Sequence, residues 1–320
     1  MLRYFSKRLA LLIPKLLIIS LIVFFALQAL PGDALSRSVP PRVYQSLSET
    51  QLEALRESLG LNEPLFTQYF RWLSNMLHGD FGYSQSTGSN IGQMLMARLP
   101  STIELVFFAL IIASFFGILF GFIAALNQNT PLDYINTGFS IVGISVPEFF
   151  FGLIFILLFS VRLGWLPSGG RMAPGQPGFF ERLPYMIMPA FCLAISLMAT
   201  LSRYTRSTML DVLGRDYVKT ARSKGLRESR VTLKHVFRNA LTPIMVIMVM
   251  RLPMLVSGAV VIEAVFNYPG MGSMILDAVS AGDMPVVMIT TMVVAAVTLA
   301  ASCVVDLFTA LLDPRIRFGE

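Results

Sequence analysis

Six stretches of this chain are apolar over lengths suited to a bilayer: residues 9–30, 102–126, 135–161, 183–201, 241–265 and 286–312, to within a few residues at each end. A helix rises about 1.5 Å per residue, so about 20 apolar residues cross the roughly 30 Å hydrocarbon layer. Inside that layer each backbone N–H and C=O must find a partner within the protein, so only helices and closed barrels span it. Runs this long select helices. Composition agrees, with 55% hydrophobic and only 14% charged residues, where a soluble domain carries about a quarter charged. The expected fold is all-α: a polytopic membrane protein with six transmembrane helices in one domain, 1–320.

The first run follows Arg3, Lys7 and Arg8, as the apolar part of a signal peptide would. It is about 22 residues long, longer than the usual 7–15 of such a segment, and Lys15 can snorkel to the interface. It therefore reads as a retained span. Lys and Arg set orientation in multi-span proteins. Residues 202–240 hold ten: Arg203, Arg206, Arg215, Lys219, Arg222, Lys224, Arg227, Arg230, Lys234 and Arg238. Residues 266–285 hold none. The basic loop, 205–240 at its centre, is expected in the cytoplasm, and six spans place both termini there. Arg315 and Arg317 agree. Residues 127–134 contain neither Lys nor Arg and are silent on the matter. The net charge of +6 therefore reports topology and the lipid bilayer as partner, and gives no reason to invoke nucleic acid.

Residues 31–99 become an extracytoplasmic segment. Ser48 and Gln51 can form a capping box. Leu52, Leu55 and Leu59 then share a helical face, and Gly60 can end the helix. After Pro64, the spacing of Leu65, Tyr69, Trp72, Leu73 and Met76 predicts a second amphipathic helix ending at Gly79. Such helices lie on a membrane surface or cover a mouth. Residues 162–182, with Pro167, Gly169, Gly170, Pro174, Gly175, Pro177 and Gly178, read as an irregular connection. In the second span, Gly117 and Gly121 form a GxxxG pair, a mark of close helix packing.

Chemistry is sparse. His78 and His235 are far apart, and Cys192 and Cys303 sit in apolar runs, so no metal or other cofactor is expected. No GxxxxGK[ST] phosphate loop or catalytic triad is present, so an enzyme is disfavoured. A transporter lacking such a loop must draw energy from a partner or an ion gradient. The basic loop is where a partner would dock. Residues 216–224 are sound helix formers, Gly225 can stop the helix in a left-handed conformation, and a second helix follows from Glu228. A short helix between spans suits a groove on another protein. The plain alternative is a solvated basic loop that serves topology alone.

The loop resembles the coupling loop of bacterial ATP-binding-cassette importer permeases, in the form carried by the dipeptide/oligopeptide/nickel branch. Other segments fit the same branch in order. They are Leu30, Pro31, Gly32 and Asp33; Leu59 to Pro64; His78 to Gly82; Arg98 to Glu104; Tyr268 to Gly272; and Leu312 to Ile316. In the general Glu-Ala-Ala pattern the positions are here Lys219, Thr220 and Ala221, with only Ala221 and Gly225 matching, as in other peptide-branch members. The resemblance implies a type I importer permease fold and a non-catalytic membrane subunit. It implies a homologous second permease subunit, two cytoplasmic ATPases that hydrolyse ATP, and an extracytoplasmic substrate-binding protein. The location implied is the bacterial cytoplasmic membrane. Asp216, Lys219, Thr220, Ala221, Lys224, Gly225 and Leu226 would make the ATPase-coupling element. The implied cargo is a di- or oligopeptide, with nickel or chelate and opine-like solutes as the alternative, and a stand-alone secondary transporter as the rival class.

Among the ionisable residues within the spans, Glu148 lies about halfway along the third and Arg251 about ten residues into the fifth, at comparable depth. Charges at such depth face a cavity or each other. The plain reading is a mutual ion pair; the sharper one is a translocation pathway that contacts a zwitterionic solute. Met248, Arg251 and Leu255 would share one face, and Pro147 and Pro253 would kink their spans.

Overall fold

A computed structural model describes residues 2–29, 35, 41–172 and 178–312. The segments Leu30 to Asp33, Pro174 to Pro177, and Asp313 to Ile316 lie outside the described residues, as do Arg315 and Arg317. Within the described residues the chain is helical, relieved by turns and one isolated bridge, Tyr83 to Asn90. The helices are α1 (Leu2–Gln28), α2 (Pro41–Ser46), α3 (Glu49–Ser58), α4 (Leu65–Leu77), α5 (Ile91–Leu126), α6 (Pro131–Ser145) and α7 (Glu148–Phe155). They continue as α8 (Phe179–Leu213), α9 (Asp216–Ser223), α10 (Glu228–Arg230), α11 (Arg238–Met250), α12 (Leu252–Val265), α13 (Met271–Ala281) and α14 (Met284–Leu312). Wider π-type turns extend α7 over Ile156–Arg162 and join α10 to α11 over Val231–Phe237. Among the described residues five helices are long and apolar enough to cross a membrane, and six spans result if α6 with α7 counts as one.

The third span is kinked at Pro147, as expected: α6 and α7 meet at 104°. Proline forces the residue before it into extended backbone, and Val146 before Pro147 obeys, at φ −89° and ψ 128°. The fourth continues to Leu213, so Arg203 and Arg206 lie on a helix rather than in a loop. The fifth is helical back to Glu228 and is interrupted at Arg251, where Pro253 in the next turn removes a donor. One further helix, α13, occupies a stretch expected to be a bare loop.

The chain divides into two compact units. The first comprises Met1–Thr102 and Pro269–Leu299. The expected capping box forms: Ser48 N–H donates to Gln51 Oε1 at 2.9 Å and Gln51 N–H to Ser48 Oγ at 3.4 Å. Helix α4 ends at Leu77, as expected from Gly79. The core gathers Ile91, Leu95, Met271, Met274, Ala278, Val286 and Ile289. Its polar ties are specific: Met271 N–H donates to Thr102 Oγ1 at 2.8 Å, and Arg98 Nη1 donates to Ser273 Oγ at 3.2 Å. Buried Asp283 accepts from Ser84 Oγ at 2.5 Å, Ser86 Oγ at 2.9 Å and Ser86 N–H at 3.1 Å. Burial raises this carboxyl's pKa, but the hydrogen bonds outweigh burial and hold it below the usual range.

The second unit, Ile103–Tyr268 with Ala300–Glu320, is built around α8. That helix is buried along much of its length, with Leu193, Ala194, Ala199, Leu201, Ser202 and Thr205 all at 1% exposure or less. Its neighbours approach through glycine. A Cβ on Gly121 would lie 2.3 Å from the Ser202 carbonyl oxygen, one on Gly117 2.8 Å from the Met198 carbonyl, and one on Gly143 2.8 Å from Ala199 Cβ. The GxxxG pair therefore does pack α5 onto α8. At the same end, Arg206 donates to both oxygens of Asp133, with Nη2 to Oδ2 at 2.7 Å, and Ser202 Oγ donates to Asn136 Oδ1 at 2.5 Å. This pairing puts residues 127–134, which charge counting could not place, at the same end as Arg206. At the other end, Glu104 pairs with Arg171 at 2.7 Å and Arg182 at 3.8 Å, and Gly170 N–H bonds the Phe266 carbonyl at 2.9 Å.

Because the Gly121 clash is with backbone, repacking cannot relieve it cheaply. Gly121→Val should destabilise the solubilised protein by about 1–3 kcal/mol, the usual cost of overpacking. Gly138→Ala, where a Cβ meets nothing within 4 Å, should change stability by less than about 0.5 kcal/mol. Thermal midpoints of the two variants against the parent check the contrast.

Candidate coupling surface and membrane pathway

Between α8 and the fifth span, the basic segment narrows to residues 214–227. Asp216 opens α9; its side chain takes the Lys219 ammonium at 3.0 Å and its carbonyl accepts from Thr220 Oγ1 at 2.9 Å. The helix is only two turns long, too short to persist alone in water. It is held by its inner face, where Val218 is fully buried and Ala221 is 6% exposed, against the widened turns Val231–Phe237 with their buried Val231 and Val236. Arg222 closes the far side with a forked pair to Glu228, Nη2 to Oε1 at 2.6 Å and Nε to both oxygens at 3.2 Å. Planar guanidinium against carboxylate sets this geometry.

The predicted residues thus divide. Asp216, Lys219, Thr220 and Lys224 are exposed on the outer side, and Leu226 is half-buried. Ala221 faces inward and shapes the seat of α9 on its own chain. Gly225 has φ +72°, and a Cβ there would meet nothing within 4 Å. Within this chain its requirement is the left-handed backbone conformation. Tyr217, 46% exposed, was missed. Tyr217 stands one turn from buried Ala221, at the edge of the inner face, so helical spacing alone gave no signal of its exposure.

Glu148 and Arg251 occupy the two breaks in the membrane helices, but they do not form the expected ion pair. Arg251 Nη1 instead reaches Met254 Sδ at 3.3 Å. Glu148 starts α7 half-exposed and turns toward α12, where a Cβ on Gly258 would be 3.3 Å from its Oε2. Met248 and Leu255 share a side as expected only loosely: Leu255 is buried, while Met248 lines a groove of about 640 Å³ with Leu110, Phe115, Phe122, Phe237 and Met245. The groove's polar member, Ser114, is spent on the Leu110 carbonyl at 2.6 Å. Among the described residues no cluster of three or more His, Cys, Asp or Glu side chains could hold a metal.

Two family models match, the inner membrane component of binding-protein-dependent transport systems over residues 117–318 and its N-terminal region over residues 1–106. The chain belongs to this family. It is a membrane subunit of an ATP-binding-cassette importer and a multi-pass inner membrane protein. It is 40% identical to the oligopeptide transport system permease protein AppB of Bacillus subtilis (strain 168), over 98% of this chain and 99% of that one. Identity is 36% to the di/tripeptide permease DppB of Pseudomonas aeruginosa (strain UCBPP-PA14), over 99% of each. It is 35% to the glutathione permease GsiC of Escherichia coli (strain K12), over 99% of this chain and all of that one. A crystal structure of an amino acid ABC transporter with histidines superposes with a TM-score of 0.52 at 18% identity, over 68% of this chain and 94% of that chain. That likeness supports the type I importer fold alone.

Since nothing in this chain crowds a Cβ at Gly225, Gly225→Asn should leave α9 intact, because Asn tolerates the left-handed region. Gly225→Val should loosen α9 by about 1–2 kcal/mol, which corresponds to amide exchange about 5–30 times faster over 216–223. Hydrogen exchange of both variants measures it.

Proposed function

We propose that this chain is one of two homologous permease subunits of an importer that carries di- or oligopeptides into the cell, driven by two cytoplasmic ATPases. An extracytoplasmic binding protein delivers the solute. Both termini and the α9 segment lie in the cytoplasm, residues 31–99 lie outside, and residues 1–320 act as one permease domain. The observation that carries the reading is α9: a short helix fastened on its inner face and open on its outer face, at the most basic end of the chain. The named relatives support the peptide cargo.

The mechanical route is short. The outer face of α9, with Asp216, Tyr217, Lys219, Thr220 and Lys224, docks in a groove of the ATPase. Gly225 and half-buried Leu226 complete the turn behind it. When ATP draws the two ATPases together, α9 moves with them. Its inner face and the Arg222–Glu228 pair pass the motion to Val231–Phe237, which leads without interruption into α11. Coupling requires the docked state to favour one membrane conformation over another; equal affinity for both would couple nothing.

The assembled complex in lipid nanodiscs, with its ATPases and binding protein, tests this. Tyr217→Ala with Thr220→Trp should reduce binding-protein-stimulated ATP hydrolysis by about 5- to 150-fold, the span of typical coupling energies, while the permease still inserts. Unchanged stimulation, or uptake that follows an ion gradient without the ATPases, refutes the proposal.

Glu148 and Arg251 are placed in this reading on the pathway, as opposite charges for the two ends of a peptide. Polar groups at helix breaks inside a membrane belong beside protein or a water-filled cavity. Glu148→Gln should erase the preference for a free peptide amino group over an acetylated one, and Arg251→Gln the preference for a free carboxylate over an amide. Uptake assays with the four peptide forms decide. Unaltered affinity and rate would remove both residues from the pathway.

A further inference from the structure

Helix α4 has two apolar sides; one packs on the protein and the other stays largely exposed, with Phe66 at its edge meeting Phe25. Tyr69, Trp72 and Met76 point inward. Tyr69 is 3% exposed, and its hydroxyl shares a hydrogen bond of 2.8 Å with Ser20 Oγ of α1. Phe24 meets Tyr69 edge-on at 5.5 Å and Trp72 at 5.8 Å, and Phe25 meets Phe66 at 5.6 Å. The adjoining face carries Phe66, Phe70 and Leu77, which are 64%, 63% and 76% exposed. At 100° per residue these three fall within a narrow arc. Arg71 and Asn75 occupy the opposite side, where Arg71 pairs with Glu63, and Thr67 and Ser74 flank the apolar arc.

Depth decides what covers the apolar face. The apolar part of α1 runs over Ala10–Gln28. Ser20 lies eight residues before its end, about 12 Å along the axis at 1.5 Å per residue. A tyrosine hydroxyl that reaches Ser20 places α4 beside the span, below the level at which α1 leaves a hydrocarbon layer about 30 Å thick. At that level α1 itself presents Ile18 and Ile22, 57% and 63% exposed, to the bilayer. The exposed face of α4 continues that surface.

We infer that α4 is inserted in the leaflet at the C-terminal end of α1, with Phe66, Phe70 and Leu77 among the acyl chains and the Arg71–Glu63 side toward the headgroups. The segment after α1 is therefore anchored by lipid as well as by its covalent link. A helix with an aromatic apolar face and a charged opposite face is the type that lies in this interface. The anchoring is independent of which solute is carried, so it stands apart from the transport reading.

Nitroxide labels test it in the assembled transporter in proteoliposomes, in a background of Cys192→Ala and Cys303→Ala. Labels at Phe66→Cys, Phe70→Cys and Leu77→Cys should collide severalfold more with oxygen, which concentrates in acyl chains, than with a water-soluble nickel complex. A label at Asn75→Cys, on the exposed opposite side, should show the reverse. High nickel access at Phe66 and Phe70 would mean water, and access to neither probe would mean a covering protein; either result overturns the inference. Should Phe66→Cys fail to assemble, the Phe70 and Leu77 labels carry the same decision.

Discussion

The second unit depends on how closely other helices can approach α8. Helices in lipid gain little from the hydrophobic effect on meeting each other, because acyl chains are as apolar as leucine. What remains is contact between backbones that come near enough to touch. Gly117 and Gly121 supply it for α5, Gly143 supplies it for α6, and Ala194 and Ala199 supply it from α8 itself. Polar bonds then fix the register that small residues leave free to slide. Asp133 with Arg206 and Asn136 with Ser202 stand three residues apart on α6 and four apart on α8, one turn on each. A slip by one turn would break both.

A scaffold held this way leaves its breaks in chosen places. Proline at 147 and 253 interrupts two spans, and each break carries a charge, Glu148 at one and Arg251 at the other. A charge in the middle of an unbroken lipid-facing helix would be costly. Beside a break, freed carbonyls already require polar surroundings, so the added demand is smaller. The absence of a Glu148–Arg251 bond follows from the same arrangement, since Glu148 turns to Gly258 while Arg251 turns to Met254.

Features governed by a local rule were legible in the sequence. The apolar runs located the spans, Ser48 and Gln51 capped α3, and Gly225 ended α9. Features governed by distant partners were not. Arg203 and Arg206 look like loop residues because charge suggests solvent, yet Arg206 belongs to α8 because Asp133, 73 residues earlier, receives it. Ala221 matched a family pattern, but its burial depends on Val231–Phe237. Helix α13 lacks Lys and Arg and was absorbed into a loop by charge counting, although Met271, Met274 and Ala278 carry a helical period that builds a core.

The position of α9 gives these packing details a common consequence. One end of the segment 214–227 is the continuation of α8, the helix that everything in its unit packs on. The other end runs through π-type turns into α11 and reaches Arg251 with no loop between. A π-type turn holds its backbone bonds one residue wider than an α-helix, as Arg238 N–H to the Leu233 carbonyl shows, and such turns recur where helices must shift. Under the proposed docking, a push on α9 would meet a stiff element on one side and a more yielding one on the other. In the proposed mechanism the two spans would respond unequally, and an unequal response would open a path between helices. A flexible loop of the same charge would satisfy topology equally well, but it would dissipate the push before it reached the membrane.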